Sequence, residues 1–97
     1  MVIQHKETGN KGSFFIMMDE NVVAEITYSL PGPGIMIIDH TEVEGSLKGK
    51  NVGSQLLDQT VEYARSKSLK IKPYCSFARK VLQKRREELL DVLYLEA

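Results

Sequence analysis

The fold is decided by residues 35–72, which read IMIIDHTEVEGSLKGKNVGSQLLDQTVEYARSKSLKIK. The stretch opens with Ile35–His40, whose four leading apolar residues are typical of a central strand covered on both faces. From Asn51 to Lys67 the apolar residues fall on one half of a helical wheel, which predicts an amphipathic helix. Leu69–Lys72 then forms a short second strand. A strand, a helix and a strand in this order predict a crossover between two parallel strands.

The elements outside this unit are shorter. Val22–Leu30 alternates apolar and polar residues with the period of a half-buried strand, and the Pro-Gly-Pro-Gly of residues 31–34 predicts a turn. The sequence further predicts strands Val2–Lys6, Ser13–Met18 and Leu90–Leu95, and a second helix over Ser76–Arg86. The fold class is therefore α/β (α+β): a mixed, mostly antiparallel sheet with two main helices, in a single domain over residues 1–97.

Composition limits the class of protein. A chain of 97 residues, 42% of them hydrophobic, suffices for one small core. A single cysteine, Cys75, excludes an internal disulfide and a cysteine-rich metal site, so no metal cofactor is expected. The sequence contains neither a membrane-length apolar run nor a secretory leader pattern. We therefore expect a cytoplasmic protein without a membrane partner, present as a monomer or weak dimer.

The charges balance overall but are unevenly distributed. Thirteen basic and thirteen acidic residues cancel, whereas residues 48–86 carry eleven basic and two acidic residues, a net charge of +9. Such asymmetry suggests an anionic partner for the basic segment. The same residues could instead simply solvate the exposed faces of two helices.

The loop before the first helix, residues 47–54, reads Leu-Lys-Gly-Lys-Asn-Val-Gly-Ser. Glycine and asparagine adopt backbone conformations closed to most residues, so such a loop can turn successive N–H groups toward one anion at the helix N-terminus. Lys48 and Lys50 add positive charge, and a pyrophosphate would fit. The loop matches neither the Walker A nor the Gly-x-Gly-x-x-Gly pattern. An ordinary strand-to-helix turn remains an alternative.

Together with His40-Thr41-Glu42-Val43, this loop resembles motif A of the GNAT superfamily of acetyl-CoA-dependent N-acetyltransferases. The superfamily pattern is Gln/Arg-x-x-Gly-x-Gly/Ala, and its positions hold Lys48, Asn51 and Gly53 here, with the first two departing from it. The chain is more closely similar to a short, single-domain GNAT-like family. That family carries a His-Thr-Glu-Val strand end, a Gly-x-x-Val/Ile-Gly loop and a later Pro-x-Cys, which correspond here to residues 40–43, 49–53 and 73–75.

The resemblance implies an enzyme that moves an acetyl group from acetyl-CoA to a primary amine. It implies that the end of the strand lies along the pantetheine arm, that the loop amides hold the pyrophosphate, and that the start of the second helix lies beside the cofactor. The expected coenzyme A-binding residues are Thr41, Glu42, Val43, Lys48, Gly49, Lys50, Asn51, Val52, Gly53, Ser54, Ser76, Phe77, Ala78, Arg79 and Lys80, the last two near the adenosine phosphates.

Cys75 is the first candidate for the reaction itself. It precedes the second helix, and a helix N-terminus together with Lys72 and Arg79 would favour a thiolate. The matching cysteine of the small GNAT-like family is implicated in catalysis. The competing interpretation is a buried, inert cysteine, since free cysteines are commonly buried.

His40 is the second candidate. It ends the apolar strand, and simple alternation places it on the face of Met36 and Ile38. A neutral imidazole there could deprotonate an incoming ammonium. A core histidine bonded to a neighbouring strand is the competing interpretation.

Two other functions stay open: a noncatalytic coenzyme A-binding module and a nucleic-acid binder that uses Lys80, Lys84, Arg85 and Arg86. No aromatic residues interleave with these cations, which argues against nucleic acid. The acceptor is an unidentified amine, on a small molecule or a protein.

Overall fold

The computed structural model describes residues 1–95 and contains a five-stranded sheet with two helices. The strands lie side by side in chain order; each neighbouring pair is antiparallel except the last, which is parallel. This confirms the predicted mixed, mostly antiparallel sheet with two main helices. The elements are β1 (Gln4–Thr8), β2 (Lys11–Met18), β3 (Asn21–Gly32), β4 (Ile35–Val43), α1 (Val52–Ser66), β5 (Lys70–Pro73) and α2 (Ser76–Lys84), with short 3-10 helices at Gly45–Leu47 and Arg86–Leu89.

The hairpin turns are tighter than the sequence suggests. The β2–β3 turn consists of Asp19 and Glu20, both left-handed with φ of 51° and 67°, the conformation that continues the twist of the flanking strands. Residues 31–34 do not all form a turn, because β3 continues to Gly32, which pairs with Ile35. The predicted four-residue turn is therefore reduced to two residues.

The core lies on one face of the sheet, beneath α1. Ala24, Ile26 and Tyr28 are buried there, as their alternation predicted. In β4, Met36 and Ile38 are fully buried, whereas Ile35 and Ile37, which point to the other face, are only half-buried. The prediction of a central strand covered on both faces is therefore wrong. The buried residues that α1 supplies to the core are Val52, Leu56, Leu57, Thr60, Val61 and Ala64.

A β-bulge in β4 reverses the face on which its last residues lie. Tyr28 pairs with Ile38, and the preceding Thr27 pairs with His40, so Asp39 is the extra residue. An extra residue shifts the alternation by one position. His40 is consequently exposed on the face opposite Ile38. The prediction that it shares the face of Met36 and Ile38 is wrong, because alternation alone does not reveal a bulge.

The predicted last strand, Leu90–Leu95, is also not observed. The segment makes one isolated parallel bridge, between Ile71 and Leu93. The Ile71 N–H donates to the Val92 carbonyl at 2.7 Å, and the Tyr94 N–H donates to the Ile71 carbonyl at 3.0 Å. Leu89, Val92 and Leu93 are buried. Buried residues three and four positions apart are typical of a helical turn packed on the core. A strand would instead have every second residue buried.

Candidate functional site

The first backbone N–H groups of α1 have no acceptor on the backbone of the described residues. Gly49 has φ of +84° and Asn51, the N-cap residue, has φ of 58°. Asn51 makes no side-chain capping bond, and the first turn contains no acidic residue. Within residues 1–95, the N–H groups of Val52, Gly53 and Ser54 have no backbone acceptor. Unsatisfied amides at the positive end of a helix dipole form a site suited to an anionic group.

A cavity of about 630 Å³ lies against these amides. It also reaches the end of β4, where the strand has a free edge: β5 ends at Pro73, opposite Ile38, and no described strand pairs with β4 beyond that point on this side. Backbone groups of the strand are therefore accessible beside the helix terminus. The lining residues are Thr41, Glu42, Val43, Leu47, Lys48, Gly49, Asn51, Val52, Gly53, Ser54 and Phe77.

The start of α2 packs closely against the start of α1. A Cβ atom on Gly53 would lie 3.0 Å from Cζ of Phe77, closer than ordinary contact, so a larger residue would displace the ring. Leu47 also lines the cavity and is only 7% exposed. Sequence reasoning assigned it no role, although a lone leucine in a polar, glycine-containing loop is itself a sign of local packing.

Cys75 lies between α2 and the end of β4. It is the N-cap residue of α2, and its Sγ accepts the Ala78 N–H at 3.4 Å. The same sulfur is 3.5 Å from Oγ1 of Thr41. The thiol is half-buried. It is therefore neither completely buried in the core nor fully exposed on the surface.

The two cations expected beside Cys75 have other contacts. The Lys72 amine lies 4.3 Å from the centre of the Tyr94 ring. Arg79 donates to the Tyr74 carbonyl at 3.5 Å. The hydrogen bond from the helix terminus and the nearby hydroxyl are thus the groups in contact with the thiol.

His40 lines a different cavity, of about 560 Å³, on the sheet face opposite α1. Its neighbour Thr41 lines the first cavity. The structure therefore does not bring His40 and Cys75 together on one face, and the two candidates are separated by the backbone of β4.

The remaining predicted site residues lie outside the lining of the first cavity. Ala78 is completely buried in the core and contributes its N–H to Cys75. The others, Lys50, Ser76, Arg79 and Lys80, are exposed.

Among residues 1–95, no group of three or more His, Cys, Asp or Glu side chains is placed to hold a metal ion. In the same part of the chain, no helix has the length and apolar character needed to span a membrane.

Comparison with solved structures shows the same architecture elsewhere. A GCN5-like protein from Staphylococcus aureus, solved by NMR and provisionally named an N-acetyltransferase, is 41% identical; the match covers 96% of this chain and 90% of that chain, with a TM-score of 0.72. A GNAT family acetyltransferase from Elizabethkingia anophelis with acetyl-CoA bound is 14% identical over 79% of this chain and 53% of that one, with a TM-score of 0.62.

The ribosomal-protein-alanine N-acetyltransferase from Brucella melitensis biovar Abortus 2308 is 21% identical over 78% of this chain and 62% of that chain, with a TM-score of 0.61. At these low identities, the Elizabethkingia and Brucella proteins share the fold alone, and the chain spans less than two thirds of either. Among curated protein sequences, none matches the chain.

A family model, that of the GCN5-related N-acetyltransferases, matches residues 13–92. This range includes β3, β4, both helices and the whole of the first cavity. The family model covers most of the chain, and the Staphylococcus aureus protein is similar to it over nearly its full length. This chain therefore belongs to the GCN5-related N-acetyltransferase family.

Proposed function

We propose that this protein transfers an acetyl group from acetyl-CoA to a primary amine. The observation that carries the proposal is the row of free amides at Val52, Gly53 and Ser54, which lines the same cavity as the open edge of β4. One end of this cavity suits a pyrophosphate and the other suits an extended arm that hydrogen-bonds to a strand. The family to which the chain belongs supports the choice of coenzyme.

In the proposed complex, the amides of residues 52–54 and the side chain of Lys48 hold the pyrophosphate, while the backbone of Thr41–Val43 holds the pantetheine arm. Lys50, Arg79 and Lys80 lie outside the cavity lining but are exposed, and their long side chains supply cations for the adenosine phosphates. This arrangement uses four of the eleven basic residues in the segment 48–86.

Cys75 is the proposed reaction centre. Its sulfur would attack the acetyl carbon, forming an S–C bond while the coenzyme leaves as its thiol, and the acceptor amine would then displace the cysteine and lose a proton. The Ala78 N–H and the Thr41 hydroxyl, at 3.4 Å and 3.5 Å from Sγ, hold the sulfur in place beside the end of β4. The alternative route is direct attack by the amine, with His40 accepting its proton.

Calorimetric titration with acetyl-CoA tests the binding step, and mass spectrometry of an added amine tests transfer. Amide chemical-shift changes should concentrate at Thr41–Val43, Lys48–Ser54 and Ser76–Lys80. Changes confined to Lys84–Arg86 would contradict the proposal and favour a surface site for a polyanion. Binding without transfer would identify a noncatalytic coenzyme A-binding module.

A nucleic-acid role has weaker support. The Arg85 guanidinium forms ion pairs with Asp58 and Glu88, so part of the basic surface at the end of α2 is already neutralised. The cytoplasmic location, the extent of the domain over residues 1–97 and the monomer or weak dimer stay predictions.

A further inference from the structure

The second cavity crosses the sheet face opposite α1. Its axis is a direct cross-strand row in which Lys6 pairs with Ser13, Ser13 with Thr27, and Thr27 with His40. Four neighbouring strands thus each contribute one polar residue to the same line. Thr27 and His40 are paired on this face only because the bulge at Asp39 turns His40 toward it.

The two ends of this groove carry opposite charge. Lys6 and Lys11 line it on the β1–β2 side, and Glu25 and Asp39 line it on the β3–β4 side, beside His40. The ion pairs found among residues 1–95 involve Arg65 and Arg85 and none of these four groups. Oδ2 of Asp39 accepts a hydrogen bond from Ser29 at 2.6 Å, and the Lys6 amine lies 5.7 Å from the centre of the Phe15 ring. Strands are about 4.8 Å apart, so across the sheet the cations lie one to three strand spacings, roughly 5–14 Å, from the carboxylates.

Ser13 supplies an independent sign of a ligand. It is 3% exposed, and its Oγ has no hydrogen-bond partner within the described part of the chain. The open face of an antiparallel sheet is ordinarily polar and solvated, but a solvated hydroxyl would not be buried. A buried hydroxyl without a partner is unfavourable, and rotation of the Ser13 side chain toward the groove would let a polar group bound there satisfy it.

We propose that this groove binds the acetyl acceptor, and that the acceptor is a small zwitterionic amine. Its ammonium lies at His40 between Glu25 and Asp39, and its anionic group lies at Lys6 and Lys11. An amine lacking the anionic group would leave both lysines unneutralised, and a diamine would be repelled by them.

The inference rests on the proposed function for its chemistry. His40 is followed directly by Thr41, which lines the coenzyme cavity, and β4 has no strand partner beyond Ile38 on its β5 side among residues 1–95. Because the backbone of β4 separates His40 from Cys75, the acceptor nitrogen would reach the acetyl group around this free edge. A C–N bond forms, the C–S bond to Cys75 or to the coenzyme breaks, and the proton lost by the amine passes to His40.

Four linear probes of matched length test the groove without acetyl-CoA. These are 6-aminohexanoate, hexylamine, 1,6-diaminohexane and hexanoate, titrated into the full chain and followed by amide chemical shifts. We expect 6-aminohexanoate to bind about fivefold more tightly than hexylamine, with shifts at Lys6, Lys11, Thr27, Asp39 and His40. Equal binding of hexylamine, tighter binding of the diamine, or shifts elsewhere would overturn the proposal.

Replacing both cations (Lys6→Met with Lys11→Met) should abolish the preference for 6-aminohexanoate and leave hexylamine binding unchanged. Lys84→Met, a matched exposed lysine outside the groove, should preserve the preference. Calorimetry with acetyl-CoA on the same samples separates the two proposals. Coenzyme binding without 6-aminohexanoate binding overturns only the acceptor site, whereas the reverse result overturns the proposed function and leaves a zwitterion-binding groove.

Discussion

Oγ1 of Thr41 lies 3.5 Å from Sγ of Cys75, although 34 residues separate them in the chain. The contact forms because β4 continues beyond the last residue of β5, so that the free end of one strand meets the N-terminus of the helix that follows the other. A hydroxyl and the Ala78 N–H thereby lie on one thiol. The proposed reaction centre is assembled at this junction.

Cys75→Ser and Cys75→Ala should retain acetyl-CoA binding and lose most of the transfer rate. Serine keeps the shape, but a hydroxyl is almost never ionised at neutral pH, and alanine has no nucleophile. Calorimetry and acetylation rates measured on the same preparations check both statements.

Transfer at the parent rate in both cysteine variants would show direct attack by the amine. In that case His40→Ala becomes the decisive variant. The loss of a general base should lower the rate by about 100-fold or more, without changing the affinity for acetyl-CoA.

Gly49→Ala should weaken acetyl-CoA binding and lower the free energy of unfolding by about 1–2 kcal/mol. Gly49 has φ of +84°, where an L-residue is strained, and relief of the strain would turn the loop amides away from the cavity. Gly45→Ala is the control, because a Cβ there meets open space and its φ is not left-handed. An unchanged affinity of Gly49→Ala for acetyl-CoA would show that pyrophosphate binding does not depend on the loop conformation.

A hydrogen-bond network connects the edge strand β1 to the core. The Tyr28 hydroxyl donates to Oε1 of Glu7 at 2.7 Å, and the Tyr63 hydroxyl donates to the same oxygen at 2.8 Å. Nε2 of His5 lies 2.6 Å from the Tyr28 hydroxyl. The hydrogen bond from Tyr28 holds the pKa of Glu7 below its ordinary value. Burial, followed by the hydrogen bond to Glu7, raises the pKa of Tyr28.

The network should make stability depend on pH at both extremes. A lowered Glu7 pKa contributes stability above its unfolded value of 4.5, and this is lost as pH falls through the lower folded value. A raised Tyr28 pKa contributes stability below the unfolded value of 10.0. This stability is lost as pH rises from that value toward the higher pKa of the folded state. Urea unfolding from pH 3 to pH 11 measures how stability falls at acid pH (the acid limb of the profile) and at alkaline pH.

Glu7→Gln should flatten the acid limb of this profile, and Tyr28→Phe should destabilise the protein by about 1–2 kcal/mol at pH 7. A parent-like acid limb in Glu7→Gln would mean that other carboxylates cause the acid transition.

Leu89→Ala should lower the free energy of unfolding by about 2–4 kcal/mol, since Leu89 is 2% exposed and its removal leaves a cavity beneath the C-terminal segment. The adjacent Leu90 is 46% exposed, so Leu90→Ala should change stability by about 0.5 kcal/mol or less. Similar effects of the two substitutions in chemical denaturation would show that this segment does not pack as described.

Part of this molecule is encoded locally. The helical period of residues 51–67, the alternation of Val22–Leu30 and the glycine-containing loop each depend on near neighbours in the chain. They can be recognised in the sequence for that reason, and together with similar local patterns elsewhere they predicted the order of the first seven elements. The resemblance of the same loop to motif A led to the family.

The rest depends on partners distant in the sequence. The bulge at Asp39 exists only in the hydrogen-bond register between β3 and β4, so alternation could not show that His40 faces away from Ile38. The C-terminal segment packs as a turn because of where Leu89, Val92 and Leu93 meet the core. The row from Lys6 to His40 and the contact between Thr41 and Cys75 join residues from separate strands and a helix. Tertiary structure alone decided which chemical groups meet, because those contacts are set by packing between elements, on which local periodicity carries no information.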